Sequence, residues 1–341
     1  MIIVTREGVS DEELDQIRER IESLGLRTHV SRGESRTIIG CIGDEERLQG
    51  LSLLGLPGVE AVHPVMRPYK LAAREFAAGP TLIPLGEAEV GGKEVIVIAG
   101  PSSVEGRDML FDTARRVRRE GARGLRGGAY EPSLSPYSYS GLKEEGLELL
   151  AEARRVIGLP VVTEVMDPRQ VEVVAGHADV LQVGARNMQN FTLLSEVGRV
   201  HRPVLLKRGQ SATVNELLLA AEYVMKQGNM QVILCERGIR TFEASTRNTF
   251  DLAAIPILKR ETHLPVIADP SHAGGDRRLV PALSFAAIAA GADGLMIEVH
   301  PKPEEALSDG GQSLDFAEFA GLMAALEPFA RAAGRTLHGH P

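Results

Sequence analysis

Five cations occupy positions from which they could act together. Arg126, Arg186, Lys207, Arg208 and Arg237 each end, or closely follow, a short apolar run in a chain that is acidic overall. Guanidinium groups match phosphate and carboxylate oxygens in bidentate fashion, so their convergence would make a site for a multiply charged anion. His272, Glu298 and Asp309 form a second set, on and just beyond two later runs. One imidazole and two carboxylates suit a divalent ion such as Mn²⁺, Fe²⁺ or Zn²⁺. Each residue taken singly also has an ordinary reading: an arginine paired with a nearby Glu164 or Glu236, or a histidine bonded within its own loop. His300, followed by Pro301, reads as the start of a loop, and His263 as structural.

Elements that end in these residues must share one rim if the residues are to meet. The runs are Val95-Ile96-Val97-Ile98-Ala99, Gly124-Leu125-Arg126, Pro160-Val161-Val162-Thr163 and Asp179-Val180-Leu181-Gln182-Val183, then Pro203-Val204-Leu205-Leu206, Gln231-Val232-Ile233-Leu234, Pro265-Val266-Ile267-Ala268 and Gly294-Leu295-Met296-Ile297. Near-continuous apolar strands are covered on both faces, with helices packed outside them. About eight strand–helix units over roughly 240 residues predict an α/β fold closed as a (β/α)8 TIM barrel, whose catalytic face collects the C-terminal strand ends. A doubly wound sheet is the alternative, but no GxGxxG follows the first strand. Thr81-Leu82-Ile83-Pro84, with Gly91-Gly92 as its turn, is expected to form a hairpin that closes the bottom of the barrel.

Ahead of the barrel, residues 1–70 read as βαββαβ, the ferredoxin-like order. Strands are expected at Ile2–Thr5, Arg27–Ser31, Thr37–Ile42 and Val59–Val65, with helices at Asp11–Leu24 and Asp44–Leu54. Ser10 and Glu13 make a capping box for the first helix, and Gly25 stops it. The expected division is thus 1–70, ferredoxin-like; 71–93, linker and hairpin; and 94–341, barrel.

Composition narrows the class. Of 341 residues, 43% are hydrophobic and 25% charged, the balance of a folded globular protein. A net charge of -8, no Trp and 4% aromatics argue against nucleic acid as a partner. No run approaches the ~20 apolar residues that span a bilayer, and Arg6 and Glu7 interrupt the apolar start. Cys41 and Cys235 lie too far apart in sequence for a CxxC knuckle, and a cytoplasmic setting is expected.

Several strings are specific when taken together: Gly100-Pro101-Ser102-Ser103-Val104-Glu105, Leu125-Arg126-Gly127-Gly128-Ala129-Tyr130, Gly184-Ala185-Arg186-Asn187, Leu206-Lys207-Arg208-Gly209, Cys235-Glu236-Arg237-Gly238, Asp269-Pro270-Ser271-His272 and Ser308-Asp309-Gly310. With these, nearly the whole chain resembles the 3-deoxy-D-arabino-heptulosonate 7-phosphate (DAHP) synthases of the microbial class with an N-terminal ferredoxin-like regulatory domain. The resemblance implies condensation of phosphoenolpyruvate with an aldose phosphate, erythrose 4-phosphate, at the entry to aromatic biosynthesis. It also implies a divalent metal, a homotetramer and an aromatic amino acid effector. Carried over by motif, Arg126, Ala185, Arg186, Lys207 and Arg237 bind phosphoenolpyruvate, Pro132 and Ser135 belong to the acceptor loop, and His272, Glu298 and Asp309 hold the metal. Lys207, His272 and Glu298 are the residues through which the resemblance places catalysis.

Three of the chain's departures from that pattern bear on its chemistry. Ser102 stands where the family has a cysteine ligand, which predicts weaker metal binding and a preference for harder ions. Glu131 and Ser133 replace the lysine and arginine of the family's Lys-Pro-Arg-Thr-Ser, a charge reversal and the removal of a phosphate fork, while Tyr130, Pro132, Ser135, Pro136 and Tyr137 still fit. Two other readings therefore stand beside the synthase: a phosphoenolpyruvate-dependent condensing enzyme with another acceptor, and a non-catalytic anion-binding regulator.

Overall fold

The structure, a computed structural model, describes the chain except residues 34–35, 44, 49–51, 64–67, 132–136, 138 and 339–341, together with the side chains of 45–46. The chain forms two units, Met1–Pro68 and Tyr69–Pro341.

In the first unit, β1 (Ile2–Thr5), β2 (Arg27–Arg32), β3 (Thr37–Ile42) and β4 (Val59–His63) make an antiparallel sheet of order β2-β3-β1-β4. Side chains alternate across a strand, so Thr37, Ile39 and Cys41 are buried while Ile38 and Ile42 are exposed. Helix α1 (Asp11–Glu22) begins at the capping box of Ser10 and Glu13 and lays Leu14, Ile17 and Ile21 against Ile3 and Ile39. Each fully buried side chain of this size contributes roughly 1.5–3 kcal/mol. The second expected helix is corrected: the described part of that segment holds 3-10 turns at Glu45–Leu48 and Leu53–Gly55. Gly50 and Ser52, poor helix residues, sit in the middle of the segment. Strand β4 ends at His63; the expected residues 64–65 lie outside the described ones.

The second unit opens with a hairpin, β5 (Ile83–Leu85) on β6 (Ala88–Val90). Its turn falls at Gly86-Glu87, not at Gly91-Gly92, because Gly86 takes the positive φ of 62° that the reversal needs. The barrel strands are β7 (Glu94–Gly100), β8 (Gly124–Arg126), β9 (Val161–Glu164), β10 (Val180–Val183), β11 (Val204–Lys207), β12 (Val232–Glu236), β13 (Val266–Ala268) and β14 (Gly294–Glu298). Each pairs in parallel with the next, and β14 pairs with β7, which closes the ring. Outside run α2 (Arg107–Arg119), α3 (Glu144–Ile157), α4 (Val171–His177), α5 (Phe191–Val197), α6 (Val214–Met225), α7 (Ala254–Glu261), α8 (Pro270–Gly274), α9 (Val280–Ala289) and α10 (Phe316–Ala332). A last strand, β15 (Thr336–Leu337), pairs with the start of β7.

The apolar runs are buried on both faces. In β7, Val95, Val97 and Ala99 belong to the core beneath the helices, while Ile96 and Ile98 point into the barrel. Inside, they meet Val162, Leu205, Ile233 and Met296 and the hairpin's Ile83, Leu85 and Val90, so the hairpin packs into the barrel interior. Cys235 is also part of this interior cluster, fully buried, with its thiol pushed up by burial. Among the described residues, no helix is long and apolar enough to cross a membrane.

Candidate active site

The opposite end of the barrel holds a cavity of about 270 Å³, lined from the C-terminal strand ends by Ser102, Arg126, Ala185, Arg186, Lys207, Arg237, His272 and Asp309, among others. Parallel pairing forces this convergence, since residues that end successive strands are neighbours around the ring.

The cations differ in how far they are committed. Arg126 ends β8, where its Nη1 donates to Glu298 Oε1 at 2.8 Å and its Nη2 to the Ser102 carbonyl at 3.1 Å, leaving Nε with no partner among the described residues. Lys207 ends β11 and donates to Asp269 Oδ2 at 2.6 Å. Arg237, immediately after β12, is buried with Nη1 unpartnered among the described residues, and burial lowers its pKa. Arg186 rides on the 3-10 turn Ala185–Asn187 at the cavity wall. A buried guanidinium without a partner carries a desolvation cost that an anionic ligand would relieve. Arg208 is the correction: it does not line the cavity but donates to Glu236 at 2.7 Å, to Asp251 at 2.8 Å and to the Ala212 carbonyl at 2.9 Å. Its side chain leaves the strand end on the side away from the cavity and braces the loops there.

His272 lies on α8, whose first turn is capped by Asp269. The cap also stands beside the imidazole: Asp269 Oδ2 is 2.8 Å from His272 Nδ1, an ion-pair distance at which Nδ1 makes no aligned hydrogen bond among the described residues. Burial opposes the charge on Asp269, yet His272 and Lys207 hold its pKa well below the usual carboxylate range. On the other side of the ring, Nε2 of His272 stands 3.4 Å from Glu298 Oε1 and 3.8 Å from Asp309 Oδ2. Asp309 adopts a left-handed backbone, φ 51°, that turns its side chain back toward the barrel. Its pKa is lowered, because His272 and Arg247 outweigh the effect of burial. Donor atoms of His272, Glu298 and Asp309 all lie within 4.8 Å of one another. Two atoms each ~2.1 Å from one ion and at a tetrahedral angle are about 3.4 Å apart, so the spacing fits a divalent metal. Asp269 lies behind the imidazole, at the place where a metal-bound histidine's outer carboxylate partner stands.

The remaining wall is acidic. Glu131 accepts from Ser103 Oγ at 2.9 Å, and Glu164, at the end of β9, accepts from Gln182 at 2.7 Å. Burial pushes the Glu131 carboxyl up to about 7, against the pull of Ser103 and Arg126. Ser102 is buried at the cavity wall and its hydroxyl accepts from Ser308 at 3.4 Å. Pro132, Ser133 and Ser135 lie outside the described residues. His300 is paired with Glu105 at 3.4 Å and does not line the cavity, while His263 links Thr81 to the Leu71 carbonyl.

Two contributors escape a reading of strand ends. Gln312 donates to Glu298 Oε2 at 2.7 Å, and Arg247 donates to Asp309 Oδ1 at 2.9 Å and to Gln312 Oε1 at 2.6 Å. Neither ends a strand, and only the spacing of Gln312, three residues beyond Asp309, could have pointed to it.

Fold and site together define a (β/α)8 barrel built to take a polyanion beside a three-residue metal cluster. The DAHP synthetase I family model matches residues 82–331, and the DAHP synthase ferredoxin-like domain matches residues 1–67. A phospho-2-dehydro-3-deoxyheptonate aldolase of Thermotoga maritima is 50% identical over 334 residues, 98% of this chain and 99% of its own. The crystal structure of a Thermotoga maritima protein of that name superposes with a TM-score of 0.93 at 49% identity, covering 98% of each chain. A truncated form of 3-deoxy-D-arabino-heptulosonate 7-phosphate synthase from the same organism matches 79% of this chain at a TM-score of 0.74. More distant is a 2-dehydro-3-deoxyphosphooctonate aldolase of Syntrophobacter fumaroxidans, 35% identical over 69% of this chain and 86% of its own. The chain belongs to the DAHP synthetase I family and carries that family's ferredoxin-like domain at its N-terminus. It is an enzyme of the transferase type, and a divalent metal belongs to the chemistry of its family.

Proposed function

We propose that the chain condenses phosphoenolpyruvate with erythrose 4-phosphate to DAHP and inorganic phosphate, the first step of aromatic amino acid biosynthesis. The observation that carries this reading is the pairing, in one cavity, of Arg186 and of Arg237, whose buried Nη1 has no partner among the described residues, with the His272, Glu298 and Asp309 cluster. A regulator that only bound an anion would have no need of that cluster, and similarity along nearly the whole chain to a phospho-2-dehydro-3-deoxyheptonate aldolase supports the same acceptor.

In this reading Arg186, Lys207 and Arg237 take the phosphate and carboxylate of phosphoenolpyruvate, with Ala185 at the wall of the same pocket and Arg126 bridging it to Glu298. Fixed cations in a water-poor cavity stabilise charge that develops during reaction far better than solvent would. His272, Glu298 and Asp309 would hold the metal, with Ser102 as a weak fourth donor, and when bound the ion supplies polarisation of the acceptor carbonyl. C3 of the enol attacks the aldehyde carbon, water adds at C2, and the phosphate leaves with the C2–O bond electrons. Nitrogen and oxygen donors without a thiolate shift the preference toward harder ions such as Mn²⁺, relative to a site that includes a cysteine.

Pro132 and Ser135 are assigned to the acceptor loop. Residues 94–341 are the catalytic barrel, 71–93 the linker and closing hairpin, and 1–70 the regulatory part that answers an aromatic amino acid. The working form is read as a cytoplasmic homotetramer, in line with the family resemblance and with two buried free cysteines. The test is release of phosphate by metal-stripped protein given both substrates, with and without Mn²⁺. Metal-restored, erythrose 4-phosphate-dependent release is the expected result; consumption of neither substrate would overturn the reading.

A further inference from the structure

The condensation brings three anionic groups into one cavity: the phosphate and carboxylate of the donor and the phosphate of the acceptor. Lys207 and Arg126 are bonded to Asp269 and Glu298, and with Arg186 and Arg237 they surround the donor end. Position 133, where a guanidinium would grip the acceptor phosphate by resemblance, is a serine. The acceptor needs a cation elsewhere, and it must lie within one short sugar chain of the metal cluster that faces the aldehyde.

Arg247 meets both conditions. It lines the same cavity from the segment that follows β12, at the mouth, with its side chain 39% exposed. Among the described residues only Nη1 is engaged, by Asp309 Oδ1 at 2.9 Å and Gln312 Oε1 at 2.6 Å, which leaves Nε and Nη2 to form a fork. The tether to Asp309 sets the guanidinium one carboxylate's width from the cluster. Its aim is fixed on the other side by Gly275, whose φ of +69° lets the backbone pass so close that a Cβ there would lie 2.4 Å from Arg247 Cβ.

We propose that Arg247 is the specificity-determining residue for the acceptor: it binds the phosphate of erythrose 4-phosphate while the aldehyde faces His272, Glu298 and Asp309. The inference rests on the condensation proposed above. Because Arg247 also holds Asp309, loss of activity alone would not separate binding from positioning, whereas the choice between acceptors does.

The test compares erythrose 4-phosphate with erythrose, at saturating Mn²⁺ and phosphoenolpyruvate, in the native chain and in Arg247→Ala and Arg247→Lys. Removing a charge-assisted hydrogen bond to the phosphate should lower kcat/KM for the phosphorylated acceptor roughly 10- to 100-fold in Arg247→Ala. Activity on erythrose also falls to the extent that Arg247 holds Asp309, but by at least about fivefold less than activity on the phosphorylated acceptor, and Arg247→Lys should recover part of the difference. Equal falls for both acceptors, with weaker Mn²⁺ binding by titration, would overturn the proposal and leave Arg247 as a positioning residue for Asp309. If the native chain condenses neither acceptor, the reaction reading fails instead. Calorimetric binding of erythrose 4-phosphate without donor then decides Arg247 by itself: an unchanged Kd in Arg247→Ala rejects it, and a tenfold rise supports it.

Discussion

Ser102 and Glu131 are the residues at which this site differs from what its neighbours would suit. A hydroxyl facing a cluster of one imidazole and two carboxylates leaves a donor set without sulfur, so Ser102→Cys should raise affinity for Zn²⁺ at least about tenfold relative to Mn²⁺. Competition titration against a chelator checks this, and an unchanged ratio would place position 102 outside the metal's reach. Glu131 is a carboxyl held among Ser103, Arg126, Glu164 and Glu298, with burial as the largest influence, and it titrates near 7 against an ordinary 4.5. The folded state therefore keeps a proton that the unfolded chain releases. Stability from this group is fully present below about 4.5 and is lost as pH rises toward about 7. Glu131→Gln, which can still accept from Ser103, should stabilise the protein at pH 8 relative to the native chain, by at most about 3 kcal/mol, and change little at pH 4. Urea unfolding at the two pH values measures the difference. Ionised Glu131 also repels an anion in the same cavity, so KM for phosphoenolpyruvate should rise above about pH 7 in the native chain and stay flat in the variant.

At the scale of elements, the site depends on how closely the ends of β7 and β8 approach. A Cβ on Gly100 would lie 2.1 Å from the Arg126 carbonyl oxygen, a backbone atom that cannot rotate away. Gly100→Ala must push the strand ends apart and with them the bonds from Arg126 to Glu298 and to the Ser102 carbonyl. A loss of about 3 kcal/mol is expected, read as a lower Tm, with activity falling further than folding at permissive temperature. Strand positions of this kind are legible in the sequence because β-branched runs buried on both faces have no other ready explanation; Val95–Ala99 and Val180–Val183 are examples. So are the cations and acids that end strands, since closure of the ring alone carries Arg126, Lys207 and Glu298 to one rim. Arg208 misleads for the same reason, because adjacent residues on a strand end point to opposite sides and only Lys207 faces inward. Arg247 and Gln312 stay hidden because they reach the site from loops, where position follows from tertiary contacts and not from period. The hairpin is readable as a hairpin, but the sequence places its turn one glycine pair too late, Gly86 having the required backbone in place of Gly91-Gly92.

For the whole molecule, a net charge of -8 coexists with a cavity whose donor end is cationic, so positive charge is concentrated where an anion must be captured while the surface as a whole stays acidic. The two units also keep separate cores. Ile3, Ile17 and Ile39 anchor the first, whereas the barrel's apolar residues close on one another from Tyr69 onward. Directly after that boundary, the backbone N–H groups of Leu71 and Ala72 both donate to the Glu222 carboxylate at 2.9 Å, which ties the start of the second unit to α6. Every cavity residue discussed above belongs to the second unit. A chain beginning at Tyr69 should therefore fold with the helix content of an intact barrel and condense the two substrates at a rate within about threefold of the full chain, since the described residues that make up the barrel's core clusters all lie from Tyr69 onward. If residues 1–70 are regulatory as proposed, inhibition by an aromatic amino acid should disappear in the same truncated chain. Circular dichroism, phosphate release and inhibition by tyrosine or phenylalanine, measured on both forms, separate the outcomes. A truncated chain that is folded but inactive would mean that the first unit completes the site, and one that is active and still inhibited would place the effector on the barrel.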